Sequence, residues 1–228
     1  WFCSQCWGKG CEQCNWTGKM YPESVEELIS APVLQFTGGV KASFHASGRE
    51  DVDARMLGTG RPFVIEVSQA KRRFINLKEL EKAINAHAKG KVEVKNLHFV
   101  DKSVVRKLKK SESAKKEYRV IVEFEKEVSD EELKMLEEQL TDAMVMQRTP
   151  TRVLHRRADL TREKYIYKVE VKRLSPKRIE MKVLCQGGLY VKELVTGDGG
   201  RTKPSVSEIL NNPARPLNLD VLDVIVKD

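Results

Sequence analysis

Two groups of residues have types and spacings that can do chemistry. The first is GREDVDARMLG at 48–58, which places Asp51 and Asp53 two apart in a glycine-flanked stretch with Arg49 and Arg55 on either side. A carboxylate that acts as nucleophile or base must stay ionised at neutral pH, and a neighbouring cation favours that form. It also needs an open loop, and glycines let a substrate approach the backbone. The same residues can equally make a charged turn in which the arginines pair with the acids. Asp51 and Asp53 as ligands of Mg²⁺ would call for further acids nearby in sequence, and only Glu50 is there. Residue types alone leave these readings open.

The second group is Cys3, Cys6, Cys11 and Cys14, spaced C-x2-C-x4-C-x2-C in a short tandem, CSQCWGKG followed by CEQCNWTG. Each C-x2-C can bring two thiolates to one metal, and four thiolates make a closed, structural zinc site. An iron–sulfur cluster or a disulfide is the alternative. The four-residue spacer is short for a zinc ribbon, so each pair could also find its partners elsewhere. Clustered cysteines of this kind suit a reducing compartment, and a cytoplasmic location is expected. Cys185, in MKVLCQ, reads as a buried small hydrophobe. GDGGRT at 197–202 lacks the G-K-[ST] ending of a phosphate-binding loop. His45, His87, His98 and His155 share no spacing.

The chain around these groups has 228 residues, enough for a sizeable core. With 40% hydrophobic and 32% charged residues it reads as globular, and no window has the apolar length of a membrane helix. The net charge of +8 favours an anionic partner, most commonly nucleic acid. The charge is clustered. KSVVRKLKKSESAKKEYR (102–119), with Lys107 and Lys109, holds eight basic residues against two acids. QRTPTRVLHRRADLTREKYIYKVEVKR (147–173), with Arg148, Arg152, Arg156 and Arg157, holds nine against three. Such stretches suit a surface that tracks phosphates.

The elements that must position these residues read as follows. VEELI (25–29) opens a short helix that Pro32 ends, and 33–37 and 41–46 read as strands around Gly38-Gly39. FVIEV (63–67) is a strand. A helix over 76–90 has Asn76 as cap and Gly90 as stop, and VEVKNLHFV (92–100) is strand-like. Residues 101–112 are a basic helix or loop, and EYRVIVEFE (117–125) alternates as a strand. SDEELKMLEEQL (129–140) is a helix with a capping box. The stretches 151–158, 165–174 and 178–185 read as successive strands, and 221–226 closes as another. Strands in antiparallel-looking runs with a few helices between predict an α+β fold around a mixed, mostly antiparallel sheet.

GRED followed by a hydrophobic residue resembles the segment of pseudouridine synthases that carries their catalytic aspartate. AKKEYRVIVEF (114–124) is similar to their second motif, and GGLYVKELVTGDGGRTKP (187–204) to their third. Together with QRTPTRVLHRRAD (147–159), the chain from about residue 17 onward most closely resembles pseudouridine synthase Ten, a family that modifies uridines 54 and 55 in the TΨC loop of tRNA.

The resemblance implies a pseudouridine synthase fold over 32–228, preceded by a Cys-rich segment and linker over 1–31. Members also carry an N-terminal RNA-binding domain of THUMP type; with Trp1 rather than Met in first place, the chain is read as a fragment lacking it. Asp51 would be the nucleophile or base on a flipped uridine, and Tyr118 would stack on the uracil. Lys192 would pair with Asp51, Tyr190 would lie beside the pair, and Asp53 would be a bystander. Arg49 would place the RNA backbone, with Arg55 also at the RNA. No cofactor is implied for catalysis. Glu50 stands where Thr or Ser is usual, and Lys192 where many related enzymes have Arg; a lysine is a point charge rather than a fork.

The leading expectation is therefore a tRNA pseudouridine synthase, monomeric, with a structural zinc. A basic RNA-binding module of the same fold without activity and a zinc-dependent nucleic-acid enzyme are the rivals.

Overall fold

Strict alternation along KKEYRVIVEF makes strand β4 (Lys115–Phe124), whose residues 116, 118, 120, 122 and 124 all face inward. This is the two-residue period of a strand with one buried face. The computed structural model describes residues 2–110 and 114–225; Trp1, residues 111–113, residues 226–228 and the side chains of Lys110 and Arg156 lie outside it. The ends of the expected 101–112 and 221–226 segments fall in those gaps.

Contacts divide the chain into two compact units, Trp1–His45 with Phe63–Val105, and Ala46–Pro62 with Arg106–Asp228. The second holds the seven-stranded sheet. Its strands are β2 (Ala54–Met56), β4, β5 (Ala143–Arg148), β6 (Thr161–Ser175), β7 (Arg178–Gln186), β8 (Thr202–Lys203) and β9 (Ala214–Ile225), in the order β2-β9-β4-β7-β6-β5-β8. All neighbours are antiparallel except β2 and β9, which run parallel. Helices α4 (Asp130–Leu140), α5 (Val191–Thr196) and α6 (Val206–Ile209) belong to the same unit, and Leu136, Leu140, Leu194, Val195 and Val206 join Val120, Val122, Met181 and Val183 in one core. Ser129 and Glu132 cap α4 reciprocally, the capping box read from the sequence.

The first unit has a separate core of Ile29, Val33, Leu80, Ile84 and Val94, with Phe36, Phe44 and Phe63 packed against it. It is built from α1 (Val25–Thr37), α2 (Leu77–Ala88) and the two-stranded sheet of β1 (Lys41–Ala46) and β3 (Phe63–Ser68). Asn76 caps α2 as expected, its side chain accepting from the amides of Lys78 and Glu79. Helix α3 (Ser103–Lys110) buries Val105 and Leu108 and leaves Lys107 and Lys109 exposed.

Three expectations about local structure are corrected. Helix α1 does not stop at Pro32 but runs through it to Thr37, so 33–37 is helix and not strand. Proline forfeits one hydrogen bond, and burial of Ile29, Val33 and Phe36 on one face outweighs that loss. Residues 92–100 form no regular strand; the Asn85 amide instead pairs with both the N–H and the C=O of Val94, at 2.7 and 2.9 Å. Residues 151–156 form a 3-10 helix rather than a strand, started by Pro150, whose carbonyl accepts from Val153 N–H.

Candidate active site

The GREDVDARMLG stretch is held at both ends within the second unit. On its C-terminal side, β2 pairs with β9 through Ala54, Arg55 and Met56. Gly58 then passes so close to β9 that a Cβ there would sit 2.1 Å from the Leu222 carbonyl oxygen, with φ at +74°, so only glycine fits. On the N-terminal side the anchor is Glu50. Its Oε1 accepts from Arg61 Nη2 at 2.5 Å and from Lys116 Nζ at 2.8 Å, and the Tyr118 hydroxyl donates to both of its oxygens at 3.3 Å. Lys116 is itself almost wholly buried, so Glu50 supplies the counter-charge it needs. Burial, together with the charge of Glu50, holds the Tyr118 phenol far above the usual tyrosine range.

Between these anchors Asp51 and Asp53 meet two cations brought from elsewhere. Asp51 Oδ2 lies 2.7 Å from Arg152 Nη2 and 3.8 Å from Lys192 Nζ. Lys192 donates to both oxygens of Asp53 at 2.6 Å. Burial acts to raise the Asp53 carboxyl, but the bond from Lys192 and its charge outweigh this and hold it below the ordinary aspartate value. The expected Asp51–Lys192 pair is therefore present as the longer of two contacts, and Asp53 takes the shorter. Residues 51 and 53 are two apart, and both carboxylates reach the same ammonium.

Lys192 and the neighbouring Glu193 sit on α5. Val191, Leu194 and Val195 turn into the core, which fixes the helix. Its N-terminal end is locked by Gln147, whose amide accepts from Tyr190 N–H at 2.8 Å and donates to Tyr190 C=O at 3.0 Å. Gln147 is 2% exposed, and sequence reasoning missed it; its place opening QRTPTRV was the one available signal. Glu193 was missed for the same reason, as an ordinary-looking acid in a helix. It is buried and binds Arg152 through Nε at 2.6 Å and Nη2 at 3.3 Å. The Arg152 guanidinium also lies 5.9 Å from the Tyr190 ring centre.

The structure thus brings Asp51, Lys192, Tyr190 and Arg152 together. Tyr118 is tied to the same loop through Glu50, but its ring is 2% exposed and offers no open face in this conformation. The remaining basic candidates lie in other settings. Arg55 makes a two-point pair with Asp220 at 2.7 and 3.1 Å, shared with Arg119. Arg148 pairs with Asp159 at 2.7 Å and lines a groove of about 610 Å³ with Met146, Thr151, Arg201 and Lys203; Asp51 is not part of it. Arg49, Arg157, Lys107 and Lys109 are exposed.

In the first unit the four cysteines converge. Cys3–Cys11 and Cys6–Cys14 are each 3.8 Å apart between sulfurs, Cys11–Cys14 is 3.7 Å, and all four sulfurs lie within 4.8 Å of one another. A tetrahedral zinc with Zn–S bonds of about 2.3 Å places its sulfurs about 3.8 Å apart, so the residues fit that ion. The two C-x2-C pairs form one site. Backbone N–H groups of Gly10, Cys11 and Gly18 point at Cys6 and Cys14 sulfurs at 3.2 Å. Bonds from Cys11 and Gly18 overcome burial and bring the Cys14 thiol down to about 6, while burial pushes its neighbour Cys11 up to about 11. Cys185 is fully buried and pushed up to about 12 by burial, in keeping with an inert core thiol.

A chain in a crystal structure of a Cbf5–Nop10–Gar1 complex superposes with a TM-score of 0.54 at 16% identity, covering 92% of this chain and 48% of that one. The α+β architecture with a mostly antiparallel mixed sheet, expected from the order of strands and helices in the sequence, is the one observed. The sequence then narrows the class. Residues 5–225 match the family model "Pus10, C-terminal", and the chain belongs to that family. It is 51% identical over 225 residues to the tRNA pseudouridine synthase Pus10 of Methanocaldococcus jannaschii, covering 98% of this chain and 49% of that protein. With the protein of that name from Methanothermobacter marburgensis it is 53% identical over 227 residues, covering 98% and 55%. With that from Korarchaeum cryptofilum it is 50% identical over 226 residues, covering 99% and 60%. The chain spans about half the length of the curated relatives it matches.

Proposed function

We propose that this chain is the catalytic part of a tRNA pseudouridine synthase that isomerises uridine in the TΨC loop, at position 54, position 55 or both, with Asp51 as the reacting carboxylate. The observation that carries the reading is Asp51 itself, a partly exposed loop carboxylate 2.7 Å from one cation and 3.8 Å from a second. The names of its relatives supply the substrate class. A base inside structured RNA must be extruded before it can react. Asp51 then attacks the ribose of the flipped uridine, or removes one of its protons, so that the N-glycosidic bond breaks. The uracil turns and its C5 bonds to C1′ as Asp51 leaves that carbon, or returns the proton it took; C5 then gives up its own proton and N1 gains one, so no atom is added or lost overall.

The chain's own residues divide this work. Arg152 aims the Asp51 carboxylate, and Lys192 places a second positive charge 3.8 Å from it. Tyr190 stands beside the pair. Tyr118 stacks on the uracil, which requires its ring, buried in this conformation, to become accessible. Arg49, Arg157, Lys107 and Lys109 contact phosphates, as do Arg55, Arg148 and Arg156, and this part of binding weakens steeply with salt. The cysteine group holds a structural zinc, which ties residues 3–14 together and takes no part in the reaction. The protein acts in the cytoplasm as a monomer. The test is pseudouridine mapping on tRNA with wild type and Asp51→Asn. Product from both proteins, or from neither, contradicts the proposal; binding without product in the wild type would favour the RNA-binding module.

A further inference from the structure

We propose that Arg152 is a positioning residue for the Asp51 carboxylate, anchored by the buried Glu193, and not a contact to RNA phosphate. This rests on the reading of Asp51 as the reacting group. The guanidinium is a rigid planar fork, and one edge of it, Nε and Nη2, carries both carboxylates. Nε and Nη2 reach Glu193 at 2.6 and 3.3 Å, and Nη2 reaches Asp51 at 2.7 Å. Glu193 cannot turn away to water, because its side chain is only 7% exposed and a buried carboxylate needs a partner.

The arginine's backbone is fixed as firmly. It lies in the 3-10 turn Thr151–Arg156, where Val153 is buried and Thr151 N–H donates to Asp198 at 2.8 Å. Glu193 is fixed in turn by α5 and by the Gln147 clamp on Tyr190. Gln147 therefore fixes Tyr190 at the start of α5, α5 carries Glu193, and Glu193 holds Arg152 against Asp51. The loop bearing Asp51 has its other anchor at Glu50, so the carboxylate is set from two sides. A phosphate that took the Nε–Nη2 edge of Arg152 would have to displace one of these two carboxylates. Lys192 does not do the same work, because its two 2.6 Å bonds go to Asp53.

Two measurements on the intact protein separate positioning from phosphate binding. One is tRNA affinity across a salt series. The other is the single-turnover rate of pseudouridine formation at saturating tRNA. The proposal expects Arg152→Gln to slow turnover on the order of 10²-fold, the scale of a small misplacement of a reacting group, with an unchanged salt slope. Glu193→Gln should slow turnover in the same direction, and the double variant should be no slower than Arg152→Gln alone, because the two residues act in one path.

Arg152→Lys restores the charge but not the fork, and should recover part of the rate at wild-type affinity. If the glutamine variant does not fold, the lysine variant carries the test, and a full wild-type rate in it overturns the proposal. A salt slope reduced by about one in Arg152→Gln, with normal turnover at saturation, also overturns it and makes Arg152 a phosphate contact. Absence of product from the wild type defeats the underlying reading, and this proposal with it.

Discussion

Lys192 donates to both oxygens of Asp53 at 2.6 Å while standing 3.8 Å from Asp51. The ammonium is thus shared between two carboxylates, and the one nearer to it is not the one that matches the motif. Asp53 is 62% exposed at its side chain, so this pair is worth little to stability. Its consequence is for geometry. Asp53→Asn frees Lys192 to close on Asp51, and turnover should change by less than about tenfold. Lys192→Ala removes the cation from both carboxylates and should lower turnover by about 10²-fold or more. Single-turnover rates of the two variants check this; equal losses would mean that Asp53 also takes part in the reaction.

Glu50 makes a second prediction. Among the described residues it is the acid that pairs with Lys116, Arg61 and Tyr118 at the start of the loop. Glu50→Ala leaves the buried Lys116 ammonium without its partner, and should destabilise the protein by about 3 kcal/mol. Glu50→Gln keeps the shape and should cost less. Thermal melts of the two variants test the order, and equal melting temperatures would contradict it.

Asp220 tests the account by pH. It is fully buried on β9 and takes bonds from Arg55 and Arg119. Burial acts to raise its carboxyl, but the two arginines outweigh this and hold it below the ordinary aspartate value. A depressed folded value means that its stabilisation is present above the unfolded value, about 3.9, and is lost as pH falls through the folded one. Asp220→Asn should therefore lower stability at neutral pH and flatten the acid limb of the stability curve. Denaturant melts from pH 7 down to pH 2 read both effects. An unchanged acid limb would contradict the assignment.

The cysteine group predicts a local response to metal removal. The three tryptophans, Trp1, Trp7 and Trp16, all fall in the first sixteen residues, so intrinsic tryptophan emission reports this segment. A strong chelator should shift that emission and expose four reactive thiols. The melting of the sheet unit and the turnover rate should stay within about twofold of their starting values. Loss of turnover without unfolding would point instead to a metal in the reaction.

Much of this was legible in the sequence because the physics involved is local. The capping box at Ser129 and Glu132, the Asn76 cap and the alternation along β4 depend only on neighbours in the chain. The four cysteines were legible for the same reason. Helix α1 was misread because Pro32 is a strong local signal, and burial in a core made by distant residues overrides it. The 3-10 turn at 151–156 looked like a strand because its apolar residues are few and its partners, Asp51, Glu193 and Asp198, are 40 or more positions away. Residue types left Asp51 level with Asp53, and only the resemblance of GRED to a known motif set Asp51 apart. Which cation holds it could not be read, since Arg152 and Lys192 arrive from separate elements and the flanking Arg55 is drawn off to Asp220.

The most direct test of the central claim is pseudouridine mapping on a tRNA transcript treated with intact wild type or Asp51→Asn, read by carbodiimide-blocked primer extension. The account predicts a stop in the TΨC loop with wild type, and its loss in the variant while tRNA binding is retained. A stop of equal strength with the variant would contradict it, and would leave GREDVDARMLG as a charged turn.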